Sequence, residues 1–552
     1  MAISNNRAEQ MFPVLSASQM ISARRFASGE PRHFSAGEMV VDFGEKDAPV
    51  WLVLEGSLDV FRHDGLAREL NVVTYSSGQF TGEVSQLAGR PSLLRGVAGA
   101  EGCIALPYDG SHLRALVIGS ADIGELVMRA FILRRVALID NGGAGSILIG
   151  TPGSPAITRL QGFFTRSGYP HLVLDASADE SGRDLVKKLG ISANELPIMV
   201  CPSGNVLNNP SNQEAALCLG ITPDINTDVV YDVAVVGAGP AGLATSVYAA
   251  SEGLKVIVLD ERAVGGQAGA SARIENYLGF PTGISGQALA GRAFNQALKF
   301  GAEIALPIEV RKFVPASDGY HSLELDDGRS VRAKTVVIAS GARYRRPAVA
   351  DIDKFEGSGI SYWATSVEAR LCQGEEIALV GGGNSAGQAV AYLAPQVKKL
   401  HLVARRPLEE TMSQYLVDRI GQLPNVEIHM GCEIDAVSGD TRSELSGAVV
   451  RNNATGEKRD LELRHMFLFI GADPNAAWLV EHVKRDRSGF IVTGPDASRG
   501  SDADMRSSLE TSLRNLFAIG DVRSGSTKRV AAAVGEGAAV VAQIHAALRA
   551  SA

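Results

Sequence analysis

Two glycine-rich turns, each at the end of an apolar segment, most constrain the fold of this chain. Gly237-Ala-Gly239-Pro-Ala-Gly242 follows the strand-like run 231–236, and Gly381-Gly-Gly383-Asn-Ser-Ala386 follows the run 377–380. Each turn opens a run of small residues typical of a helix, whose N-terminal backbone N–H groups can hold a pyrophosphate. The sequence therefore predicts two Rossmann-like α/β domains, each with a dinucleotide site.

The charge after the next strand of each domain distinguishes the two cofactors. Asp260 and Ala404 stand at the same distance, 23 residues, from the first glycine of their motifs. Asp260 and the adjacent Glu261 can accept hydrogen bonds from a ribose diol, as FAD or NAD requires, and would repel a 2′-phosphate. Ala404 is instead followed by Arg405 and Arg406, whose guanidinium groups suit a phosphate dianion. We therefore predict FAD in the first site and NADPH in the second.

Length and charge limit the number of domains and the kinds of partner that this chain can have. A chain of 552 residues predicts three to four domains, and a net charge of −8 offers nucleic acid or anionic lipid no overall attraction. The N-terminus leads into no apolar signal segment, and no stretch reaches about 18 uninterrupted apolar residues. We expect a cytoplasmic protein that binds small molecules or proteins, with no nucleic-acid and no membrane partner.

The five cysteines are scattered along the chain. They form no C-x-x-C pair and no spacing typical of metal ligands, so we predict no metal site. We expect all five to be reduced and mostly buried. They are Cys103, Cys201, Cys218, Cys372 and Cys432.

The chain divides at polar or glycine-rich boundaries. Residues 10–140 alternate short apolar runs with glycine turns before a helical pattern, which predicts a small β-barrel or jelly roll. Residues 145–221 alternate strand and helix patterns and predict a compact α/β domain. The first glycine motif belongs to a discontinuous FAD-binding domain, 229–346 and 471–552, and the second to an inserted NADPH-binding domain, 347–470.

From position 231 to the C-terminus, the chain resembles bacterial thioredoxin reductase. The resemblance implies an FAD- and NADPH-dependent oxidoreductase that forms a homodimer, in which Asp521 bonds the ribityl chain of FAD. It also implies a helix after an N-cap at Thr527, whose positive N-terminal end favours anionic reduced flavin. The matching segments are Gly265-Gly-Gln267, Ile274-Glu-Asn-Tyr277, Ala339-Ser-Gly-Ala342, Phe469-Ile-Gly-Ala472, Glu510-Thr-Ser512 and Phe517-Ala-Ile-Gly-Asp521.

The motifs and the resemblance together give two sets of candidate binding residues. For FAD they are Gly237, Gly239, Pro240, Ala241, Gly242, Asp260, Glu261, Gly266, Gln267, Asn276, Ala339, Gly341, Gly520, Asp521, Arg529, Val530 and Ala531. For NADPH they are Gly381, Gly383, Asn384, Ser385, Ala386, Arg405 and Arg406.

The resemblance fails at the position of the redox disulfide. Thioredoxin reductases carry Tyr-Cys-Ala-Thr-Cys before the NADPH-binding strand, where this chain has Tyr362-Trp-Ala-Thr-Ser366. Trp363 and Ser366 replace the two cysteines, and Cys372 has no partner nearby in sequence. Without a dithiol, electrons cannot pass through the internal disulfide of that family. We therefore assign no catalytic side chain and do not expect thioredoxin reduction by the usual route.

Residues 145–221 resemble glutaredoxin and thioredoxin, again with the functional cysteines replaced. Gly150-Thr-Pro-Gly-Ser-Pro-Ala-Ile157 has serine and isoleucine where those folds have the cysteines of Cys-Pro-x-Cys, and Leu196-Pro197 matches their cis-proline position. The flavoprotein component of alkyl hydroperoxide reductase also has a thioredoxin-like domain before its reductase core. The resemblance therefore supports the domain order but not a redox role.

Residues 10–140 resemble cyclic nucleotide-binding domains, through segments that include Gly82-Glu-Val-Ser-Gln-Leu87. Ser92 stands where those domains have the arginine that pairs with the cyclic phosphate, and Arg90 and Arg95 are the nearby alternatives. An uncompensated anion in a half-apolar pocket is costly, so we expect a scaffold that does not bind cyclic nucleotides.

These patterns predict a reductase in which NADPH passes hydride to FAD. The electron acceptor stays open between a ferredoxin- or flavodoxin-like carrier and a small molecule. Two alternatives remain: a reductase of a thioredoxin-like disulfide partner, and a flavin- and NADPH-binding sensor with little turnover.

Overall fold

The computed structural model describes residues 7–63, 69–83, 86–87, 90–140, 146–189, 192, 195–201, 205–222, 225–315, 319–356, 359–439, 444–479, 481–498 and 505–551. The N-terminal unit, residues 7–140, is an antiparallel sheet followed by two helices. One strand covers 50–63 and continues past Gly56, which adopts a φ of +73° and accommodates a bulge. The elements are α1 (Arg7–Met11), α2 (Ala17–Arg24), β1 (Arg32–Phe34), β2 (Met39–Val41), β3 (Val50–His63), β4 (Glu69–Ser76), β5 (Arg95–Tyr108), α3 (Gly110–Gly119) and α4 (Ala121–Asp140).

The second unit, residues 146–222, is a sheet of order β7-β6-β8-β9 with helices packed on it. The Leu196–Pro197 peptide bond is cis, as the resemblance implied. Strand β9 and helix α7 were not predicted, although Ser211 and Glu214 form a capping box at α7. The elements are β6 (Ser146–Gly150), α5 (Pro155–Arg166), β7 (His171–Asp175), α6 (Glu180–Leu189), β8 (Ile198–Val200), β9 (Val206–Asn208) and α7 (Asn212–Cys218).

Cys201 and Cys218 form a disulfide in this unit. The expectation that all five cysteines are reduced is therefore wrong for this pair. Cys201 follows β8 and Cys218 ends α7, so the fold brings together two residues 17 positions apart. Their spacing matches no redox or metal motif, which is why the sequence did not indicate the pairing. The other three cysteines are free and buried.

The FAD-binding domain has a sheet of order β12-β11-β10-β15-β14-β13, with β26 beside β15. Strands β10, β11, β15 and β26 are parallel neighbours, so their carboxyl ends meet at one edge. Ligands of open parallel sheets bind at such an edge. The elements are β10 (Val230–Val236), α8 (Pro240–Ser251), β11 (Val256–Leu259), α9 (Gly266–Gly269), α10 (Gly286–Lys299), β12 (Glu303–Ala305), β13 (Val310–Val314), β14 (His321–Leu325), β15 (Ser330–Ile338), β26 (Leu516–Ala518) and α14 (Val530–Ser551).

The NADPH-binding domain has a parallel sheet of order β17-β24-β18-β19-β20 and a meander of order β21-β22-β23. The antiparallel strands β16 and β25 carry the chain between the two nucleotide-binding domains. The elements are β16 (Ala342–Tyr344), β17 (Ile360–Ser361), α11 (Ser366–Leu371), β18 (Glu376–Val380), α12 (Asn384–Leu393), β19 (Lys399–Ala404), α13 (Gln414–Gly421), β20 (Val426–Met430), β21 (Cys432–Gly439), β22 (Leu445–Asn452), β23 (Lys458–Glu462), β24 (His465–Leu468) and β25 (Ala472–Pro474).

One hydrophobic cluster runs through the N-terminal unit, the second unit and the FAD-binding domain. It includes Phe131, Phe164 and Leu298, all nearly inaccessible to solvent. Among the described helices, the segment Val530–Ala550 is long and apolar enough to cross a membrane by length and composition. It packs against α8, where the Thr245 hydroxyl donates to the Gly537 carbonyl oxygen at 3.2 Å.

Candidate functional site

A cleft of about 710 Å³ lies at the edge where β10, β11, β15 and β26 end. This volume falls in the range of about 300–1,000 Å³ typical of small-molecule sites. Every residue predicted from the sequence to bind FAD lines the cleft, except Gly242. Gly242 lies behind the turn and has a packing role instead.

The first glycine turn has the shape that a pyrophosphate requires. Gly237 adopts a φ of +111°, and a Cβ on it would overlap the Ala339 carbonyl oxygen. A Cβ on Gly242 would overlap the Gly237 carbonyl oxygen, so α8 packs directly on the turn. Space is open in front of Gly239, where an added Cβ would have only the Gly266 Cα within 4.0 Å. Among the described residues no side chain caps α8, which leaves its first N–H groups for a phosphate.

Asp260, just after β11, is held against this turn. Its Oδ2 accepts the Ala238 N–H at 2.7 Å, and its Oδ1 accepts the Arg262 N–H at 2.8 Å. Burial raises the pKa of this carboxyl group, whereas the N–H donors lower it. Asp260, the residue predicted to bind the ribose diol, is therefore hydrogen-bonded to the turn predicted to bind the pyrophosphate.

Gly520 and Asp521 follow β26 after Ile519, and both line the cleft. The Gly520 N–H donates to Glu536 Oε2 at 2.6 Å, and Lys528 Nζ donates to the Asp521 carbonyl oxygen at 2.5 Å. Burial raises the pKa of Asp521, and Lys528 lowers it. These bonds leave the Asp521 carboxyl group for a ligand hydroxyl, consistent with the ribityl contact that the resemblance implied.

Helix α14, which the resemblance to thioredoxin reductase directs at the flavin, begins later than predicted. Helix α14 starts at Val530, and Thr527 is not its N-cap, because the Thr527 carbonyl oxygen accepts the Arg529 N–H at 2.8 Å in a tight turn. Arg529, Val530 and Ala531 nevertheless line the cleft. The predicted helix is present with its first residues at the cleft, but the predicted N-cap is wrong.

The segment that replaces the redox disulfide is fixed by Glu368. The indole Nε1–H of Trp363 donates to Glu368 Oε1 at 2.8 Å, and the Thr365 N–H donates to Oε2 at 3.0 Å. Trp363 lines the cleft. Ser366 begins α11, and its side chain lies outside the described residues. An aromatic ring therefore lines the cleft at the position of the first redox thiol.

Cys372 lies in the core of the NADPH-binding domain and is inaccessible to solvent. Its Sγ donates to the Ala369 carbonyl oxygen at 3.7 Å. Burial raises the pKa of this thiol to about 11. The reactive thiolate is therefore scarce near neutral pH, as expected of a structural cysteine.

The second glycine turn repeats the geometry of the first. Gly381 adopts a φ of +145°, and a Cβ on it would overlap the Phe469 carbonyl oxygen. Asn384 and Ser385, at the start of α12, reach the FAD cleft. Arg405 and Arg406 are exposed beyond β19, where they can meet a phosphate in solvent. The other predicted NADPH residues, Gly381, Gly383, Ala386, Arg405 and Arg406, do not line the cleft.

Several cleft residues were not identified from the sequence, because packing between distant segments brings them there. Tyr344 stacks on Tyr362 with ring centroids 5.9 Å apart, and burial raises the pKa of Tyr344 to about 12. Arg166 comes from the second unit, and no sequence motif marks it. The other residues missed include Gln388, Asn475 and Trp478.

The N-terminal unit contains a mostly apolar pocket of about 110 Å³. Neither Arg90 nor Arg95 lines this pocket. The guanidinium carbon of Arg90 lies 5.3 Å from the ring centroid of Phe294, and Arg95 Nε lies 3.9 Å from Asp42 Oδ1. The Ser92 hydroxyl donates to the Leu94 carbonyl oxygen at 2.7 Å. Positions 84, 85, 88 and 89 of the resembling segments lie outside the described residues.

Comparison with known proteins identifies the family of the C-terminal half. Residues 231–537 match the model of the pyridine nucleotide-disulphide oxidoreductase family. An alkyl hydroperoxide reductase component of Escherichia coli is 32% identical over 317 residues, 57% of this chain and 58% of that protein. The thioredoxin reductase of Mycoplasma pneumoniae is 33% identical over 322 residues, 57% of this chain and 95% of that protein. The solved thioredoxin reductase of T. acidophilum has a TM-score of 0.52 at 29% identity and covers 57% of this chain and 98% of its own.

This chain belongs to the pyridine nucleotide-disulphide oxidoreductase family. The predicted class, an FAD-dependent NAD(P)H oxidoreductase with FAD and NADPH as its cofactors, is confirmed at the level of this family. The predicted pair of Rossmann-like domains is also confirmed. The match covers less than three fifths of the length of the E. coli protein and of NADPH-dependent thioredoxin reductase 3 of Arabidopsis thaliana, at 58% and 57%.

Proposed function

We propose that this protein transfers electrons from NADPH, through bound FAD, to an external acceptor without using a redox disulfide at the flavin. The observation that carries the proposal is Trp363, which lines the cofactor cleft at the position of a redox thiol and is bonded there to Glu368. When bound, FAD supplies the chemistry of accepting hydride and releasing electrons. The protein supplies binding, orientation and electrostatics.

Each end of the cleft would hold a different part of FAD. The turn from Gly237 and the N-terminus of α8 would bind the pyrophosphate, while Asp260 would accept hydrogen bonds from the adenosine ribose. Asp521 would bond the ribityl hydroxyls. The positive end of α14 favours negative charge on the flavin.

The second nucleotide would bind on the turn from Gly381. Arg405 and Arg406 would pair with the 2′-phosphate of NADPH, since both are exposed next to the end of β19. Asn384 and Ser385 line the FAD cleft, so the start of α12 connects the two sites. This arrangement supports direct transfer between two neighbouring cofactors.

The acceptor in this proposal is a ferredoxin- or flavodoxin-like carrier, or a small molecule. A one-electron carrier fits a cleft without a dithiol, because no bond to sulfur must form or break. The competing function is reduction of a thioredoxin-like disulfide partner, which is favoured by the thioredoxin reductases among the relatives.

An acceptor screen on flavin-loaded protein tests these functions. Reduced flavin is mixed anaerobically with ferredoxin, flavodoxin, menadione or oxidised thioredoxin, and its reoxidation is followed by absorbance. Reoxidation by a carrier or a quinone, and not by thioredoxin, is the expected result. Turnover of thioredoxin that persists in Cys372→Ser supports the disulfide reductase and contradicts the proposal. Flavin that stays oxidised under excess NADPH supports the sensor.

We also propose that the N-terminal unit is a cyclic nucleotide-binding-like scaffold without a nucleotide, and that the second unit is thioredoxin-like. The small apolar pocket and the positions of Arg90 and Arg95 support the first assignment. The sheet order β7-β6-β8-β9 supports the second. We expect a cytoplasmic homodimer without nucleic-acid or membrane partners. Calorimetry with cyclic AMP, expected to give no heat of binding, and sedimentation test two of these expectations.

A further inference from the structure

The second unit places one basic side chain in the FAD cleft. Arg166 is the last residue of α5, and its side chain lines the cleft together with Asp260, Tyr344 and Asp521. Its guanidinium carbon lies 5.6 Å from the ring centroid of Trp363, and its Nε–H donates to the Gly162 carbonyl oxygen at 3.0 Å. These two contacts hold the guanidinium group in a fixed position.

The groups around Arg166 include residues assigned above to different parts of FAD. Burial lowers its pKa, and the charges that also act on it include those of Arg262, Glu368, Asp260 and Tyr344. Asp260 marks the adenosine end of the site. Tyr344 is influenced by both Arg166 and Asp521, and Asp521 marks the ribityl end. The part of an FAD molecule between these two ends is its pyrophosphate.

Arg166 differs from the other cations that line the cleft. Arg262, Arg273 and Arg311 each have a carboxylate oxygen within 3.5 Å. Lys528 donates to the Asp521 carbonyl and the Ser526 hydroxyl. Arg343 and Arg529 are exposed to solvent. Arg166 is half-buried, and no carboxylate of the described residues lies within 4.0 Å of it. A partly desolvated cation is stabilised by an anion.

We propose that Arg166 completes the FAD site from the second unit by pairing with the pyrophosphate of the cofactor. The inference rests on the proposed function, because it takes FAD as the occupant of the cleft. It gives the second unit, which has Ser154 and Ile157 in place of the Cys-Pro-x-Cys cysteines, a role in cofactor retention. The stacked ring of Trp363 orients the planar guanidinium group, so the side chain that replaces a redox thiol supports a binding residue.

The test is the FAD dissociation constant of the full-length apoprotein, measured by quenching of flavin fluorescence. Arg166→Gln removes the charge and keeps much of the volume. We expect it to weaken FAD binding by roughly tenfold to a hundredfold, as for the loss of a charge-assisted hydrogen bond. Arg166→Lys keeps the charge but loses the planar group that stacks on Trp363, so its FAD affinity should fall between those of the wild type and Arg166→Gln.

Two matched variants separate this role from simple docking of the second unit. Arg159 lies on the same helix, and its guanidinium donates to Asn212 Oδ1 at 2.7 Å, outside the cleft. Gln287 donates to the Thr165 carbonyl oxygen at 2.9 Å across the same interface. Arg159→Gln and Gln287→Ala should leave the FAD dissociation constant within about twofold of wild type, because neither touches the cofactor.

The salt dependence of FAD binding gives a second readout, which would not differ between the two proteins if Arg166 had only a structural role. Raising the ionic strength from about 0.05 to 0.5 M should weaken FAD binding more in the wild type than in Arg166→Gln, because one ion pair is missing in the variant. Equal affinity and equal salt dependence in the two proteins would overturn the role of Arg166. Equal weakening by Gln287→Ala would also overturn it, in favour of domain docking. A wild-type protein that binds no FAD would instead overturn the proposed function.

Discussion

The two glycine turns share a backbone design and differ in how their selective residues are held. In the FAD-binding domain, Asp260 is bonded to the turn itself through the Ala238 N–H. In the NADPH-binding domain, Arg405 and Arg406 are exposed to solvent, and the guanidinium group of Arg406 lies 3.9 Å from Glu410 Oε2. Under the proposed function, the first site retains its cofactor, whereas the second is open to a nucleotide that enters and leaves. The predictions below test this difference.

The largest effect is expected at the first turn. A Cβ in Gly237→Ala would overlap the Ala339 carbonyl oxygen, and the φ of +111° strains any side chain. FAD affinity should fall by about a hundredfold or more, since such strain costs about 1–3 kcal/mol before contacts are lost. Flavin absorbance per mole of purified protein measures the loss. Gly291→Ala, where an added Cβ meets nothing within 4 Å, is the control. Full flavin content in Gly237→Ala would contradict the assignment of this turn.

The equivalent change at the second turn should leave FAD in place. Gly381→Ala would overlap the Phe469 carbonyl oxygen and weaken NADPH binding by about thirtyfold. Titration with NADPH, followed by flavin reduction under anaerobic conditions, gives the apparent affinity. Loss of flavin from this variant would show that the two turns are not independent.

A smaller effect, selective for NADPH over NADH, is expected at Arg405 and Arg406. The double variant Arg405→Ala, Arg406→Ala should raise the Kd of NADPH by about tenfold, through lost charge-assisted hydrogen bonds, and change that of NADH by less than about twofold. Arg464→Ala, another exposed arginine of the same domain, is the control. An equal loss for both nucleotides would refute selection by the 2′-phosphate.

The smallest effect is expected at Cys372. Burial raises the pKa of its thiol from 9.0 to about 11, so the folded state holds this proton where the unfolded chain releases it. Its contribution to stability is therefore lost as the pH rises from about 9 to 11. Iodoacetamide should not label the native thiol at pH 8, and Cys372→Ser should keep turnover within about twofold. Rapid labelling with loss of turnover would give this thiol a redox role.

The sequence predicted those parts of the site that local backbone chemistry dictates. A glycine at positive φ, such as Gly237, and an acidic residue at the end of the next strand leave a signal at fixed spacing. The helix that begins at Val530 was expected from the resemblance to thioredoxin reductase. The cap at Thr527 was wrong, because a tight turn used its carbonyl oxygen first.

Residues placed by tertiary packing were not predictable in this way. Arg166 enters the cleft only because α5 of the second unit packs against the FAD-binding domain. Cys201 and Cys218 pair because β8 and α7 are neighbours, although 17 residues separate them in sequence. The role of Glu368 in fixing Trp363 depends on the turn before α11. Such contacts have no fixed spacing, so the sequence pattern carries no sign of them.

Anaerobic titration of the purified, FAD-loaded protein with NADPH tests the central claim most directly. The account predicts that one equivalent of NADPH bleaches the flavin, and that reduction persists when all five cysteines are replaced by serine in a variant that still binds FAD. Flavin that stays oxidised under excess NADPH, or that is reduced only when the cysteines are present, would contradict it.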